Sequence, residues 1–184
     1  MSNQSLFGHI VARFSNQQEN LATESLHYIL QQRSAREAFL SFVDQLAPGL
    51  NPITRFETQS GTDKSARPDM VGKDADGKPV LVVEAKFWAS LTDQQPVAYI
   101  NALPEDRGAI LLFVAPEKRF ATLWPELVRR CTEAGREIAI EAPDGGAWKI
   151  GKLTDSRTLA LTSWRVLLAY LLQAAEANGE LTAA

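Results

Sequence analysis

The sequence predicts a mixed α/β fold, a central mixed β-sheet of about five strands flanked by α-helices. Three observations lead there. Segments with helical spacing alternate with segments of strand length. AILLFVA, at 109–115, is a continuous apolar run, the pattern of a strand buried on both faces. RPDMVGKDADGKPVLVVEAK, at 67–86, sets Asp76-Gly77 between two strand-like runs, a preferred pair for a two-residue hairpin turn. The 184 residues, 45% apolar and 22% charged, suit one soluble domain, 1–184, with a sizeable core.

The elements follow in order. Residues 15–46 carry N-terminal helices. Leu21, Ala22, Leu26, Ile29 and Leu30 share one face of the first, and Ala38, Phe39, Phe42, Val43 and Leu46 mark the second, which Pro48-Gly49 ends. A core follows over 53–142: a strand in ITRFETQ (53–59), a hairpin over 67–87, a helix from near Thr92 to Leu103, the strand 109–115, a helix over 117–134 closed by Gly135, and a strand in EIAIEA (137–142). SRTLALTSWRVLLAYLLQAAEA (156–177) reads as a C-terminal helix. It is apolar nearly all round between Val166 and Ala175. Such a helix is either central to the core or covered by a partner, a second copy or a further domain docked through 159–175.

Composition narrows the function. A net charge of −3 gives no global basic field, so a polyanion would have to be held locally, with metal ions offsetting the acidic groups. Cys131 is the only cysteine, which excludes an internal disulfide and a cysteine-based zinc site, and His9 and His27 are too few for a histidine-rich centre. The N-terminus lacks the layout of a signal peptide. VLLAYLL (166–172), the longest apolar run, is too short to span a bilayer. A cytoplasmic protein with no membrane partner is expected.

The hairpin carries the chemistry. With Asp76-Gly77 at the turn, paired residues have numbers that sum to 153, which sets Asp69 opposite Glu84 with Cβ atoms roughly 5 Å apart. Lys86, two residues beyond Glu84, points to the same face. Two carboxylates that close repel, and a hard divalent cation relieves them, since Mg²⁺ is commonly held by one or two carboxylates plus substrate phosphates. A lysine beside the cation can serve the attacking water and counter charge at phosphorus. This is equipment for phosphodiester hydrolysis. Nothing suggests a serine or cysteine nucleophile with a partner histidine.

Pro68-Asp69, fourteen intervening residues and Glu84-Ala85-Lys86 resemble the PD-(D/E)xK nuclease signature. Gln95 and Tyr99, four apart on one helical face, resemble the Q-x-x-x-Y element of RecB-like members, where an amide can orient the lysine or a phosphate and a phenol can donate to a phosphate. Thr92 with Gln95 also fits a capping box. Glu24 matches the acidic residue that many members carry on an N-terminal helix, with Glu19 as the fallback. The resemblance covers Glu24 to Tyr99. It implies a restriction-endonuclease-like core and metal-dependent cleavage of nucleic acid that leaves a 5′-phosphate. By position Asp69, Glu84 and the Ala85 backbone carbonyl, with Glu24 as a further candidate, would ligate Mg²⁺, for which Mn²⁺ can substitute, and Lys86 would serve the water.

Arg67, Lys73, Lys64 and Tyr99 are candidates for contact with nucleic acid, with Arg67 facing Lys86 across the hairpin. DNA is favoured over RNA, and an endonuclease of bacterial defence or restriction is the setting that association suggests. Two alternatives stay open: a catalytically silent nuclease-like binding or assembly module, and a phosphoesterase acting on nucleotides. Arg129, Arg130 and Arg136 are read as complementing a helix dipole. Phe87 and Trp88 are read as packing groups, and Trp148 and Trp164 as core.

Overall fold

The computed structural model describes residues 18–58, 67–141 and 146–177; His9 and Lys64 lie outside them. Within these residues one seven-stranded mixed sheet carries five α-helices. The elements are α1 (Gln18–Ile29), α2 (Arg33–Leu46), β1 (Arg55–Thr58), β2 (Met70–Lys73), β3 (Pro79–Ala85), α3 (Val97–Ala102), β4 (Ala109–Ala115), a 3₁₀ turn (Glu117–Arg119) leading into α4 (Phe120–Glu133), β5 (Ile138–Glu141), β6 (Trp148–Leu153), β7 (Arg157–Ser163) and α5 (Trp164–Ala177). The strand order is β1-β2-β3-β4-β7-β6-β5. The central pairs β3–β4 and β4–β7 are parallel, and the outer pairs are antiparallel.

Side-chain alternation along β4 divides the core. Ile110, Leu112 and Val114 face one side, where α1, α2 and α5 pack through Leu26, Phe39, Phe42, Val43, Leu167 and Leu171. Leu111 and Phe113 face the other, where α3 and α4 pack through Tyr99, Ile100, Leu123, Trp124 and Leu127. Phe42 is the hub of the first layer, edge-on to Trp148 at 5.9 Å and tilted against Tyr170 at 5.3 Å.

The structure corrects three expectations. The sheet has seven strands, not about five. One of the two additional strands is β7, which occupies the first third of the segment expected to be helix 156–177, and the other is β6, just before it. All seven residues of β7 are buried, the polar Arg157, Thr158, Thr162 and Ser163 with the apolar Leu159, Ala160 and Leu161, so the strand shows no inside–outside alternation that separates it from a helix. The boundary was nonetheless written in the sequence. The Ser163 hydroxyl accepts the Val166 N–H at 3.1 Å, an N-cap in the middle of the expected helix.

The helix expected from Thr92 to Leu103 shrinks to α3, with residues 93–96 forming turns ahead of it. The hairpin turn holds three residues rather than two. The Asp74 N–H donates to the Lys78 carbonyl at 3.0 Å and Gly77 takes φ +78°, a left-handed conformation that glycine adopts without steric cost. A register shift between Gly72 and Lys73 then restores the ladder, so Met70 pairs with Val83 and the sum of 153 returns.

On α5, Leu167 and Leu171 enter the core while Leu168 and Leu172 are exposed, so the helix is buried along one stripe only. Among the described residues no helix is long and apolar enough to cross a membrane.

Candidate active site

The site forms at the C-terminal end of β3, where the strand runs parallel to β4. Past the last ladder pair the chain bends at Asp69, and its carboxylate replaces the next backbone partner: Oδ2 accepts the Ala85 N–H at 2.8 Å. The Asp69 N–H in turn points at Oε2 of Glu84, at 3.4 Å. The two acids thus meet across the hairpin in the expected register. Glu84 and Lys86 alternate with the inward Val83 and Ala85, so both project to the α3 side of the sheet. Lys86 Nζ lies 2.9 Å from Glu84 Oε1. Glu84 and Lys86 are only 4% and 5% exposed, so their charges meet largely out of water.

Gln95 and Tyr99 come to the site, with roles that differ from the expected ones. Gln95 is buried; its Nε2 donates to Glu84 Oε1 at 2.8 Å and to the Tyr99 hydroxyl at 2.9 Å. It orients the glutamate rather than the lysine. Its Oε1 accepts the Thr92 N–H at 3.3 Å, but this bond closes the turn ahead of α3 and is not a capping box, because α3 begins at Val97 with no side-chain bond at its cap. Tyr99 is buried, and its hydroxyl donates to the Arg67 carbonyl at 3.0 Å. Its proton therefore ties down the chain just ahead of Asp69 and is not presented to a phosphate.

The N-terminal helix supplies Glu19, not Glu24. Glu19 Oε1 accepts the Phe87 N–H at 2.7 Å, and Oε2 lies 3.9 Å from Lys86 Nζ. Glu24 is exposed. The expected face holds at Leu26 and Leu30, which are buried, but its Leu21 edge is exposed, as is Tyr28, and Thr23 is buried instead. Stepping back four from Thr23 on that buried stripe gives Glu19, the signal that would have found it.

Arg67 is exposed at the rim, in chain outside the β2–β3 ladder. Lys73 is at the turn end of β2, four residues from Asp69 and so about 13 Å along the strand; it pairs with Glu57 at 2.6 Å and lies away from the site. Two arginines missed as contributors buttress the loops. Arg119 Nη1 donates to the Phe87 carbonyl at 2.9 Å, and Arg130 Nη1 to the Gln95 carbonyl at 3.0 Å. Arg130 thus holds the Gln95 turn rather than serving a helix dipole alone. Phe87 stacks on Trp164 at 5.9 Å, as a packing group should. Trp88 does not: it is 69% exposed.

Among the described residues, Lys86 is the cation paired with Glu84 and, more distantly, with Glu19, while Asp69 lies across from Glu84. Burial, and then the neighbouring Asp69, push the Glu84 carboxyl up to about 7, and Lys86 and Gln95 offset this only in part. Burial also raises Asp69, against the Ala85 N–H and Lys86, which favour its charged form.

Among the described residues no group of three or more acidic, histidine or cysteine side chains is arranged to enclose a metal. Two carboxylates beside each other do fit a cation that keeps several waters, as Mg²⁺ does. The fold and these contacts define a buried carboxylate–lysine centre at the end of a parallel strand pair. Comparison of the chain with protein-family models, with curated proteins and with solved structures yields no match.

Proposed function

We propose that the chain is a metal-dependent nuclease with a restriction-endonuclease-like core, one domain that hydrolyses phosphodiester bonds of nucleic acid. The observation that carries this reading is the meeting of Asp69 and Glu84 across β2–β3, both carboxyls raised, with Lys86 2.9 Å from Glu84. Two like charges kept together out of water call for a cation, and phosphodiester hydrolysis is the reaction that uses this set. The antiparallel hairpin leading into the parallel pair β3–β4 supports the core assignment.

Asp69 and Glu84 would hold Mg²⁺ or Mn²⁺. When bound, the cation supplies Lewis acidity at a phosphoryl oxygen and lowers the pKa of bound water. The side chains do the rest. Gln95 fixes the rotamer of Glu84 through Oε1. Lys86 uses one of its three donors on Glu84 and keeps two for the attacking water or a phosphate oxygen. Glu19 and Arg119 hold the N–H and carbonyl of Phe87, which fixes the chain directly after Lys86. DNA cut internally, in bacterial defence or restriction and in the cytoplasm, is the setting favoured by association with the superfamily. The alternative, a catalytically silent binding module, draws on the burial of Lys86 and its engagement by Glu84.

The test is cleavage of circular and linear duplex DNA, circular single-stranded DNA and RNA, with Mg²⁺, Mn²⁺ or chelator. The nuclease reading expects metal-dependent cutting that falls by roughly 10²–10⁴-fold in Lys86→Ala, the usual contribution of a positioned proton-transfer group. Cutting that survives Lys86→Ala would remove the catalytic assignment. No cutting, with binding unaffected by Lys86→Ala, would favour the silent module.

A further inference from the structure

We infer that Trp88 is a stacking platform for an unpaired nucleobase next to the bond that is cut, so that the substrate is single-stranded, or is opened, at the site. This rests on the nuclease reading and adds a substrate class to it. Trp88 follows Lys86 by two residues, so their Cα atoms lie within about 7 Å. Its side chain is 69% exposed, although the chain that carries it is held from several directions. The Phe87 N–H donates to Glu19, the Phe87 carbonyl accepts from Arg119, and the Phe87 ring stacks on Trp164. The Ala89 carbonyl accepts a second, longer bond from Arg119 at 3.5 Å.

A loop so anchored could have turned the indole inward, yet the ring that packs is the one before it. The residues that follow it, Ala89 and Ser90, are exposed and small, so along the chain the indole is not extended into an apolar stretch of the kind that docks a protein. A lone indole held at the rim of a phosphodiester site has the chemistry to meet a base. Base–aromatic stacking needs an accessible base face and tolerates any sequence, and a paired base inside a duplex offers no such face.

The experiment uses the full chain, with Ca²⁺ in place of Mg²⁺ to hold off cleavage, and oligothymidylate or a short duplex as probe. Trp88 is the only tryptophan among the exposed large apolar side chains, so the signal lost in Trp88→Phe reports its own fluorescence. Oligothymidylate is expected to quench that signal. Trp88→Ala is expected to raise Kd for oligothymidylate about ten-fold, with Trp88→Phe retaining most of the affinity and the duplex little affected. Absence of quenching, or equal losses on single strand and duplex, would overturn the inference. Neither readout needs turnover. Quenching without cleavage by the Mg²⁺ enzyme would remove the nuclease reading alone, and cleavage without quenching would remove the stacking site alone.

Discussion

The hairpin β2–β3 holds an aspartate at each end, and the two are in opposite electrostatic states. Asp74, at the turn, is only 5% exposed, yet its carboxyl is held below the usual range. Burial pushes it up, but hydrogen bonds from the Lys78 N–H, Arg107 and Asn51 outweigh that. Oδ1 takes the N–H groups of Asp76 and Lys78, and Oδ2 takes Arg107 at 2.9 Å and Asn51 at 3.4 Å. Asp69, at the other end, is less buried and yet raised, and Glu84 opposite it rises to about 7. The difference lies in hydrogen-bond donors. Arg107 is shared by Asp74, Asp76 and Asp106, but Asp74 also takes two backbone N–H groups and the Asn51 amide. Asp69 accepts the Ala85 N–H and lies against a second carboxyl, Glu84, while Lys86 is shared by Glu84 and Glu19. A saturated acid fixes a turn; an undersupplied pair has an interaction left to give, and a cation is its natural recipient.

The largest effect expected from this contrast is on stability against pH. Folded Glu84 keeps its proton to about pH 7, whereas the unfolded chain releases it near 4.5. Between those values the folded state binds more protons, so stability falls as pH rises, by up to roughly 3 kcal/mol. Asp69 acts in the same direction. Glu84→Gln should therefore raise Tm above pH 7 and flatten the decline. Asp74→Asn should do the reverse: its stabilisation is present at neutral pH and lost as pH falls, so removing the charge lowers Tm. Thermal unfolding scans across pH read both. Equal signs for the two substitutions would break the comparison.

A smaller effect is expected at Gln95. Its amide orients Glu84 from behind, and removal of such outer partners typically costs about 10–100-fold in metal affinity or activity. Gln95→Leu should show that loss in the Mn²⁺ concentration needed for half-maximal cleavage. The smallest separates two neighbours on α1. Glu19→Gln should reduce cleavage, through the Phe87 N–H and the charge near Lys86, while Glu24→Gln leaves it within experimental error. Steady-state rates of the pair decide this, and a reversed order would restore Glu24 to the site.

How much of this was readable in the sequence differs by region. The pairing of Asp69 with Glu84 was, but partly through compensation: the turn is one residue longer than Asp76-Gly77 suggested, and the shift at Gly72/Lys73 cancels it. Local rules sufficed because the hairpin is local. The edge of the α1 face was less legible: Leu26 and Leu30 are buried as their spacing implies, but Leu21 is apolar and exposed while the polar Thr23 is buried, which only tertiary packing decides. β7 was misread because its run is buried everywhere; the cap at Ser163 was the clue passed over. The spacing of Tyr99 from Gln95 placed the two side by side, but spacing gives the face of a helix and not the partner, which is the carbonyl of Arg67, 32 positions earlier in the chain.

The central claim is that the Asp69–Glu84 pair is a cation site. Calorimetric titration of Mn²⁺ into the wild-type chain above pH 7, where Glu84 is ionised, tests it most directly. Binding is expected in the wild type and in Asp74→Asn, and is expected to be lost in both Asp69→Asn and Glu84→Gln. Binding that persists in those two variants, or none in the wild type, would contradict the account.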